Sequence, residues 1–390
     1  MSQHLMNTYA RIPVRVARGE GAWLFDEDGT RYLDTLTGIG VCSLGHAHPE
    51  IAEVIARQAR TLVHAANVGH IPLQEELAGR LAEISGLDQA FFCNSGAEAL
   101  ECCFKLARLH GRQKGIAEPQ IVVVSRSFHG RTIACISATD SEKVQGGFGP
   151  LVPGFLRVPF DDAGSIARLA DDRDDIAAVL CEPILGEGGV VVPHDGYLAE
   201  LRRICDQHDW LFMADEVQTG MGKTGRWFGY QHEGILPDVI AVAKALGNGV
   251  PIGACVARDR AGNLFSPGKH GSTYGGNPLA CATALKVIEI MQRDRLVERA
   301  AELGQRIMAG LRKRLASDDR VVEIRGRGLM IGIETRAACG PIRDAALEAG
   351  MIINVTRDNT IRLLPPLIID DALADRIVDT VSNLIKAWQT

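Results

Sequence analysis

The sequence predicts an α/β fold: a mostly parallel sheet covered on both faces by helices, with a second, smaller α/β domain. Three observations carry this prediction. Apolar runs of strand length recur at residues 90–93, 121–125, 176–181, 211–214, 239–243 and 252–257. Segments with helical spacing of apolar residues stand before and between them, the alternation that builds a sheet buried on both sides. The chain has 390 residues, more than one hydrophobic core usually serves, so two unequal domains are expected.

The elements follow in chain order. Residues 14–34 form a small antiparallel unit, because the run Ala22-Trp23-Leu24-Phe25 is followed by the turn Asp26-Glu27-Asp28-Gly29 and then by Arg31-Tyr32-Leu33-Asp34. From Pro49 the apolar period becomes that of a helix, at 50–64, 73–85 and 97–111, and again at 196–208 between two strands. A long helix at 277–293 leaves the sheet, and 296–316 is a second amphipathic one. Strands at 321–323 and 329–334, a helix at 341–348, short strands near 352–355 and 360–363, and a closing helix at 370–388 make the smaller domain. The expected division is therefore 1–48 as an N-terminal segment recruited by the small domain, 49–285 as the large domain and 286–390 as the small one.

Bulk properties exclude several classes. A net charge of −6 leaves no basic footprint for nucleic acid. No apolar stretch is long enough for a membrane helix, and the N-terminus lacks a signal-peptide layout, so a cytoplasmic protein is expected. The ten cysteines contain no C-x-x-C pair, and several lie in apolar strand-like runs, which suits buried reduced thiols. Without a secretory route the sequon Asn354-Val355-Thr356 carries no weight. Gly220-Met-Gly222-Lys-Thr-Gly225 imitates a dinucleotide loop, but no amphipathic helix follows it, and Val217 stands where a Walker loop needs glycine. His46 and His48 lack further residues at metal-ligand spacing, so no metal site is expected.

The chemistry gathers at strand ends. Lys244 follows the apolar run 239–243 and enters a glycine-punctuated loop; a dry pocket there would lower its amine and make it nucleophilic. Asp215 ends the run Leu211-Phe-Met-Ala. Two strands that end in an acid and an amine suit pyridoxal phosphate, the amine attaching to the carbonyl and the acid holding the ring nitrogen protonated. Asn94-Ser95-Gly96-Ala97-Glu98 opens a helix after a strand, a site for phosphate. Phe128-His129-Gly130-Arg131 offers a ring-stacking face and a carboxylate-gripping guanidinium. Glu182 and Glu187 lie in a glycine-rich loop, and an acid there suits a removable bridge to an arginine. Gly271-Ser272-Thr273-Tyr274-Gly275-Gly276 suits a phosphate clamp. Arg362, inside the apolar run Ile361-Arg-Leu-Leu, needs an acidic or anionic partner.

Joined in this order and spacing, these motifs resemble the class III aminotransferases of the pyridoxal-phosphate family, in the acetylornithine/ornithine branch. The resemblance covers essentially the whole chain, from Tyr9-Ala-Arg-x-Pro13 to Ile361-Arg-Leu-Leu-Pro-Pro366. It implies pyridoxal-phosphate fold type I, with a mostly parallel seven-stranded sheet in the large domain and a homodimer whose active sites are shared between subunits. By the same resemblance Lys244 attaches to the cofactor, Asp215 pairs with the pyridine nitrogen, Gln218 touches the ring hydroxyl and Phe128 stacks on the ring. Gly96 and Ala97 bind the phosphate through backbone N–H groups, and Thr273 reaches it from the neighbouring subunit. Arg131 takes the distal α-carboxylate of the substrate with Ser272 of the other subunit beside it. Arg362 holds the α-carboxylate of glutamate or 2-oxoglutarate, and Glu187 covers it when the donor has none.

The activity this implies is transfer of the terminal amine of N2-acetylornithine to 2-oxoglutarate, as in arginine biosynthesis. Succinylornithine, ornithine and 4-aminobutyrate are alternative donors, and Arg131 argues against the last, which lacks a distal α-carboxylate. An aminomutase of the same fold is the rival from another reaction class, and a cofactor-binding regulator the non-enzymatic one. Three places depart from the pattern: Leu100, where the helix after the phosphate loop usually has Asn, Asn67-Val-Gly-His70 and Val41-Cys-Ser43.

Overall fold

The computed structural model describes residues 4–389. The chain opens with β1 (Val16–Glu20), β2 (Trp23–Asp26) and β3 (Arg31–Asp34), paired antiparallel. Gly29 takes a φ of 84° in the turn between β2 and β3, a conformation open to glycine at no steric cost.

The central sheet contains β4 (Gln89–Cys93), β5 (Gln120–Val124), β6 (Phe155–Val158), β7 (Ile176–Cys181), β8 (Leu211–Asp215), β9 (Val239–Val242) and β10 (Gly253–Ala257), in the order β4-β10-β9-β8-β7-β5-β6. Only β10 runs against its neighbours; the β5–β6, β5–β7, β7–β8 and β8–β9 pairs are parallel. The expected seven-stranded, mostly parallel sheet is present. Its inner strands β7, β9 and β10 are apolar and buried along their whole length because both faces are covered. Along β8, Leu211 and Met213 join the core under the helix Gly96–Gln113, while Phe212 and Ala214 join the core on the other face.

The later strands are β11 (Val321–Arg327), β12 (Met330–Thr335), β13 (Met351–Ile352), β14 (Asn354–Thr356) and β15 (Thr360–Leu363). Four of them form a sheet in the order β11-β12-β15-β14, while β13 pairs parallel with β3. The single short strand expected at 352–355 is therefore two, which serve different sheets on either side of Ile353. Strand β6 and the helix Ala163–Asp172 were not anticipated. β6 is a partly exposed edge strand with an arginine in it, so its apolar signal is weak. The imitation dinucleotide loop at 220–225 leads only to a 3-10 turn, Gly229–Glu233.

All ten cysteines are unpaired, and all but Cys42 are buried. Among the described residues, no helix is long and apolar enough to cross a membrane. Because β5, β7, β8 and β9 are parallel, the segments that follow them emerge at one edge of the sheet, where ligands of open α/β sheets bind.

Candidate active site

Lys244 follows β9 directly and begins a 3-10 turn, Lys244–Leu246, at a φ of 47°. Left-handed backbone at a residue other than glycine costs of order 1–3 kcal/mol and persists where surrounding structure over-determines it. Burial lowers the pKa of the Lys244 amine; the Glu187 carboxylate opposes that shift, and the Arg362 guanidinium adds to it. No side chain among the described residues hydrogen-bonds or ion-pairs with this amine, and Lys244 lines a cavity of about 370 Å³.

Asp215 ends β8 and is 4% exposed. Its Oδ2 lies 2.8 Å from His129 Nδ1, and its Oδ1 accepts a hydrogen bond from the backbone N–H of Val217 at 3.1 Å. A carboxylate accepts, so the proton of the imidazole sits on Nδ1. The other ring nitrogen, Nε2, is buried and has no hydrogen-bond partner among the described residues.

Gly96, Ala97, Phe128 and Gln218 line the same cavity as Lys244 and Asp215. The helix Gly96–Gln113 is capped by Ser95, whose Oγ accepts from the N–H of Glu98 at 3.2 Å. The N–H groups of Gly96 and Ala97 have no acceptor among the described residues, so the positive end of the helix is open to an anion. A Cβ on Gly96 would lie 2.8 Å from Val217 Cγ1, so the approach requires glycine.

Glu182, just after β7, ties two loops together. Its Oε1 accepts from the N–H of Phe128 at 2.9 Å and its Oε2 from that of Gly186 at 2.9 Å. Burial pushes its pKa up to about 7, helped by the nearby charge of Asp215.

Arg362 lies in β15 and is fully buried. Its Nη1 donates to Glu187 Oε1 at 2.5 Å and to Gln218 Oε1 at 3.2 Å, and its Nη2 donates to Asn354 Oδ1 at 2.9 Å. Burial raises the Glu187 pKa, but the charge and hydrogen bond of Arg362 outweigh it and the net shift is downward. The acid required by the buried arginine is thus Glu187. The two partners differ in freedom, since the Glu187 side chain is 35% exposed and the Arg362 side chain 1%.

Five of the sequence-predicted residues do not line this cavity. Glu187 and Arg362 adjoin it through Gln218, a lining residue that accepts from Arg362; Arg131, Ser272 and Thr273 stand further off. Arg131 is exposed, with its guanidinium carbon 5.5 Å from the centroid of the Phe128 ring. Ser272 and Thr273 line a separate cleft with His270, Glu98 and Glu101. Asn94 joins that cleft to the helix start, its Nδ2 donating to Ser272 Oγ at 3.3 Å and to Glu98 Oε2 at 3.0 Å. Asn67 holds the same loop through the carbonyls of Ser272 and Gly275, and Leu100 presents an apolar side chain to the main cavity. Sequence reasoning gave no part to His129, Val217 or Asn354. Of these His129 left a signal, a histidine next to Phe128 at a strand end; the other two are ordinary loop and strand residues.

These features fit pyridoxal phosphate: a helix N-terminus with free N–H groups, a glycine whose Cβ would clash, an aromatic ring, a buried carboxylate and an unpartnered amine around one cavity. Comparison with known proteins agrees. The sequence profile described as aminotransferase class-III matches residues 5–385. The chain belongs to the class-III aminotransferases. The acetylornithine aminotransferase of Nitrosomonas europaea is 50% identical over 382 residues, which span 98% of this chain and 97% of that protein. The crystal structure of the ornithine aminotransferase from Toxoplasma gondii superposes with a TM-score of 0.96 at 33% identity, covering 99% of this chain and 93% of that one. The acetylornithine aminotransferase from Elizabethkingia anophelis gives a TM-score of 0.88 at 33% identity, covering 99% and 97%. As a class-III aminotransferase this chain is a transaminase of small amino-acid substrates, with pyridoxal phosphate as its cofactor.

Proposed function

We propose that this chain transfers the terminal, δ amine of N2-acetylornithine to 2-oxoglutarate, giving N-acetylglutamate 5-semialdehyde and glutamate. The observation that carries this reading is the ion pair between buried Arg362 and half-exposed Glu187. Such a transaminase accepts two unlike partners in one site: acetylornithine presents a bare methylene beside its reacting amine, and glutamate presents a carboxylate there. An arginine with a removable acid serves both. When Glu187 turns away, Asn354 and Gln218 still hold the guanidinium in place for an incoming carboxylate. When Glu187 stays, the positive charge is covered.

The cofactor, when bound, supplies an electrophilic carbonyl and an electron-withdrawing ring. The chain supplies the rest. Gly96 and Ala97 would hold the phosphate through their N–H groups, and Phe128 would cover a ring face. Asp215, oriented by His129, would hold the proton on the ring nitrogen, and Gln218 would meet the ring hydroxyl. The Lys244 amine, its pKa lowered by burial, would be the group that attaches to the cofactor's carbonyl and the base that carries a proton to and from the substrate carbon. Arg131 would take the distal carboxylate of acetylornithine, a group that 4-aminobutyrate lacks.

A homodimer is part of the proposal. Ser272 and Thr273 lie outside their own chain's cavity, which supports their donation to a partner's site. The division at 1–48, 49–285 and 286–390 is supported by the pairing of β13 with β3, and we place the enzyme in the cytoplasm.

The test presents the purified holoenzyme with one donor at a time and ranks the rates at which cofactor absorbance shifts from the aldehyde to the amine form. Acetylornithine is expected to lead. If 4-aminobutyrate outruns it, the substrate assignment is wrong.

A further inference from the structure

The loop that carries Glu187 is held in an unusual way. Four successive carbonyl oxygens each accept a hydrogen bond from a side chain outside the loop. Glu187 O accepts from Thr356 Oγ1 at 2.5 Å, and Gly188 O from Arg126 Nη2 at 2.6 Å. Gly189 O accepts from Arg325 Nη2 at 2.7 Å, and Val190 O from Arg325 Nε at 2.9 Å. The donors come from three separate places, the segment after β5, strand β11 and strand β14. Beyond them the loop is closed by a two-way backbone bridge between Leu185 and Val191, at 3.0 and 3.1 Å. Val190 sits at a φ of 49°, a conformation that a β-branched residue rarely holds. Arg325 is itself fixed, its Nη1 donating to Glu323 at 2.8 Å and also to Glu334, with the residue buried.

An ordinary surface turn leaves its carbonyls to water. Here two guanidinium groups and a hydroxyl are spent on neutral oxygens, and the side chain they leave free is Glu187. If the loop could retreat, Arg362 would be left as an uncovered buried charge, which disfavours a substrate offering only a methylene.

We propose that Arg325, Arg126 and Thr356 are positioning residues that lock the backbone at 187–190, so that Glu187 covers and uncovers Arg362 by side-chain rotation alone. The clamp thereby sets the preference for donors without a carboxylate beside the reacting amine. This rests on the reading of Glu187 and Arg362 given above.

The test measures the two half-reactions separately in the holoenzymes of Arg325→Met, Arg325→Lys, Arg126→Met, Thr356→Val and Glu187→Gln. In Arg325→Met, kcat/KM for acetylornithine should fall about tenfold, the scale of one charged hydrogen bond, while that for glutamate stays within about twofold. Arg325→Lys should fall between wild type and Arg325→Met. Amide exchange across 186–191 should speed up in the Arg325 and Arg126 variants, a readout independent of turnover. Thr356→Val, which deletes one hydroxyl, remains informative should an arginine variant not fold, and it should shift the same ratio in the same direction. Equal loss in both half-reactions, or unchanged exchange, overturns the clamp. If Glu187→Gln disturbs the ratio and the clamp variants do not, the clamp alone fails. If Glu187→Gln leaves the ratio untouched, the gate reading fails and the clamp goes with it.

Discussion

Replacing Arg362 with methionine keeps a long side chain in a buried slot and removes every donor. The guanidinium meets Glu187 and Gln218 through Nη1 and Asn354 through Nη2. A carboxylate that displaces Glu187 would take up a two-pronged bond with it. At about 1.5–3 kcal/mol for each charged hydrogen bond, two such bonds amount to about 3–6 kcal/mol. That predicts a loss of about 10²–10⁴ in kcat/KM for glutamate and 2-oxoglutarate. The acetylornithine half-reaction loses far less. Its substrate does not touch the arginine, and the Glu187 side chain, 35% exposed, can turn to water once its partner is gone. A loss below about tenfold is expected there, in line with the modest worth of partly exposed ion pairs. Stopped-flow absorbance of each half-reaction, with one substrate at a time, gives the two numbers. Equal losses in both directions would refute the alternating role, and a glutamate loss under tenfold would refute the two-pronged geometry.

Gly96→Ala should cut cofactor affinity about 5- to 150-fold by forcing the helix start away from Val217, the kind of overpacking that costs about 1–3 kcal/mol. Adding Val217→Ala should recover part of it, as read by cofactor titration; no recovery would show that the clash is not the cause. Lys244→Ala should still bind pyridoxal phosphate, seen by absorbance after gel filtration, yet lose turnover; near-normal turnover would remove the lysine from the chemistry. Lys223 is fully buried and donates to the carbonyl of Pro365 at 3.0 Å, and burial lowers its pKa to about 7. Between that value and the ordinary lysine value of 10.5, the unfolded chain holds a proton that the folded chain does not, so this group's contribution to stability rises with pH across the window. Urea midpoints of wild type minus Lys223→Met should therefore grow in favour of the wild type from about pH 7 to about pH 10, as the linkage relation requires; a flat difference would contradict the burial account.

The large sheet was legible because its strands are apolar on both faces, and Lys244, Asp215 and the segment at 94–98 because each directly follows or ends such a run. Arg362 was legible as a charge out of place. What stayed hidden depends on contacts between distant residues. His129 meets Asp215 across 86 positions, and Arg362 meets Glu187 across 175. The sequence called for an acid against Arg362, but only folding brings β15 beside the loop after β7. The edge strand β6 and the split at Ile353 were missed for a related reason: strands this short follow their sheet neighbours more than their own pattern.

The candidate site is built from loops, and loops are usually the mobile part of an α/β protein. Here buried and half-buried charged side chains stiffen them by binding backbone. Glu182 holds the N–H groups of Phe128 and Gly186, joining the loop after β5 to the loop after β7. Glu216, beside Asp215, accepts from the N–H groups of Gly229 and Tyr230 at 2.9 and 3.0 Å. Arg126 and Arg325 do the same for carbonyls next to Glu187. Burial pushes both Glu182 and Glu216 up to about 7, which is the cost of using acids as anchors away from water. The benefit is that freedom is left to side-chain ends: the Lys244 amine, without a hydrogen bond among the described residues, and the Glu187 carboxylate. A transaminase needs mobility at just those two points, one to move a proton and one to admit a carboxylate. A scaffold that loosened the loops as well would lose the alignment on which both depend.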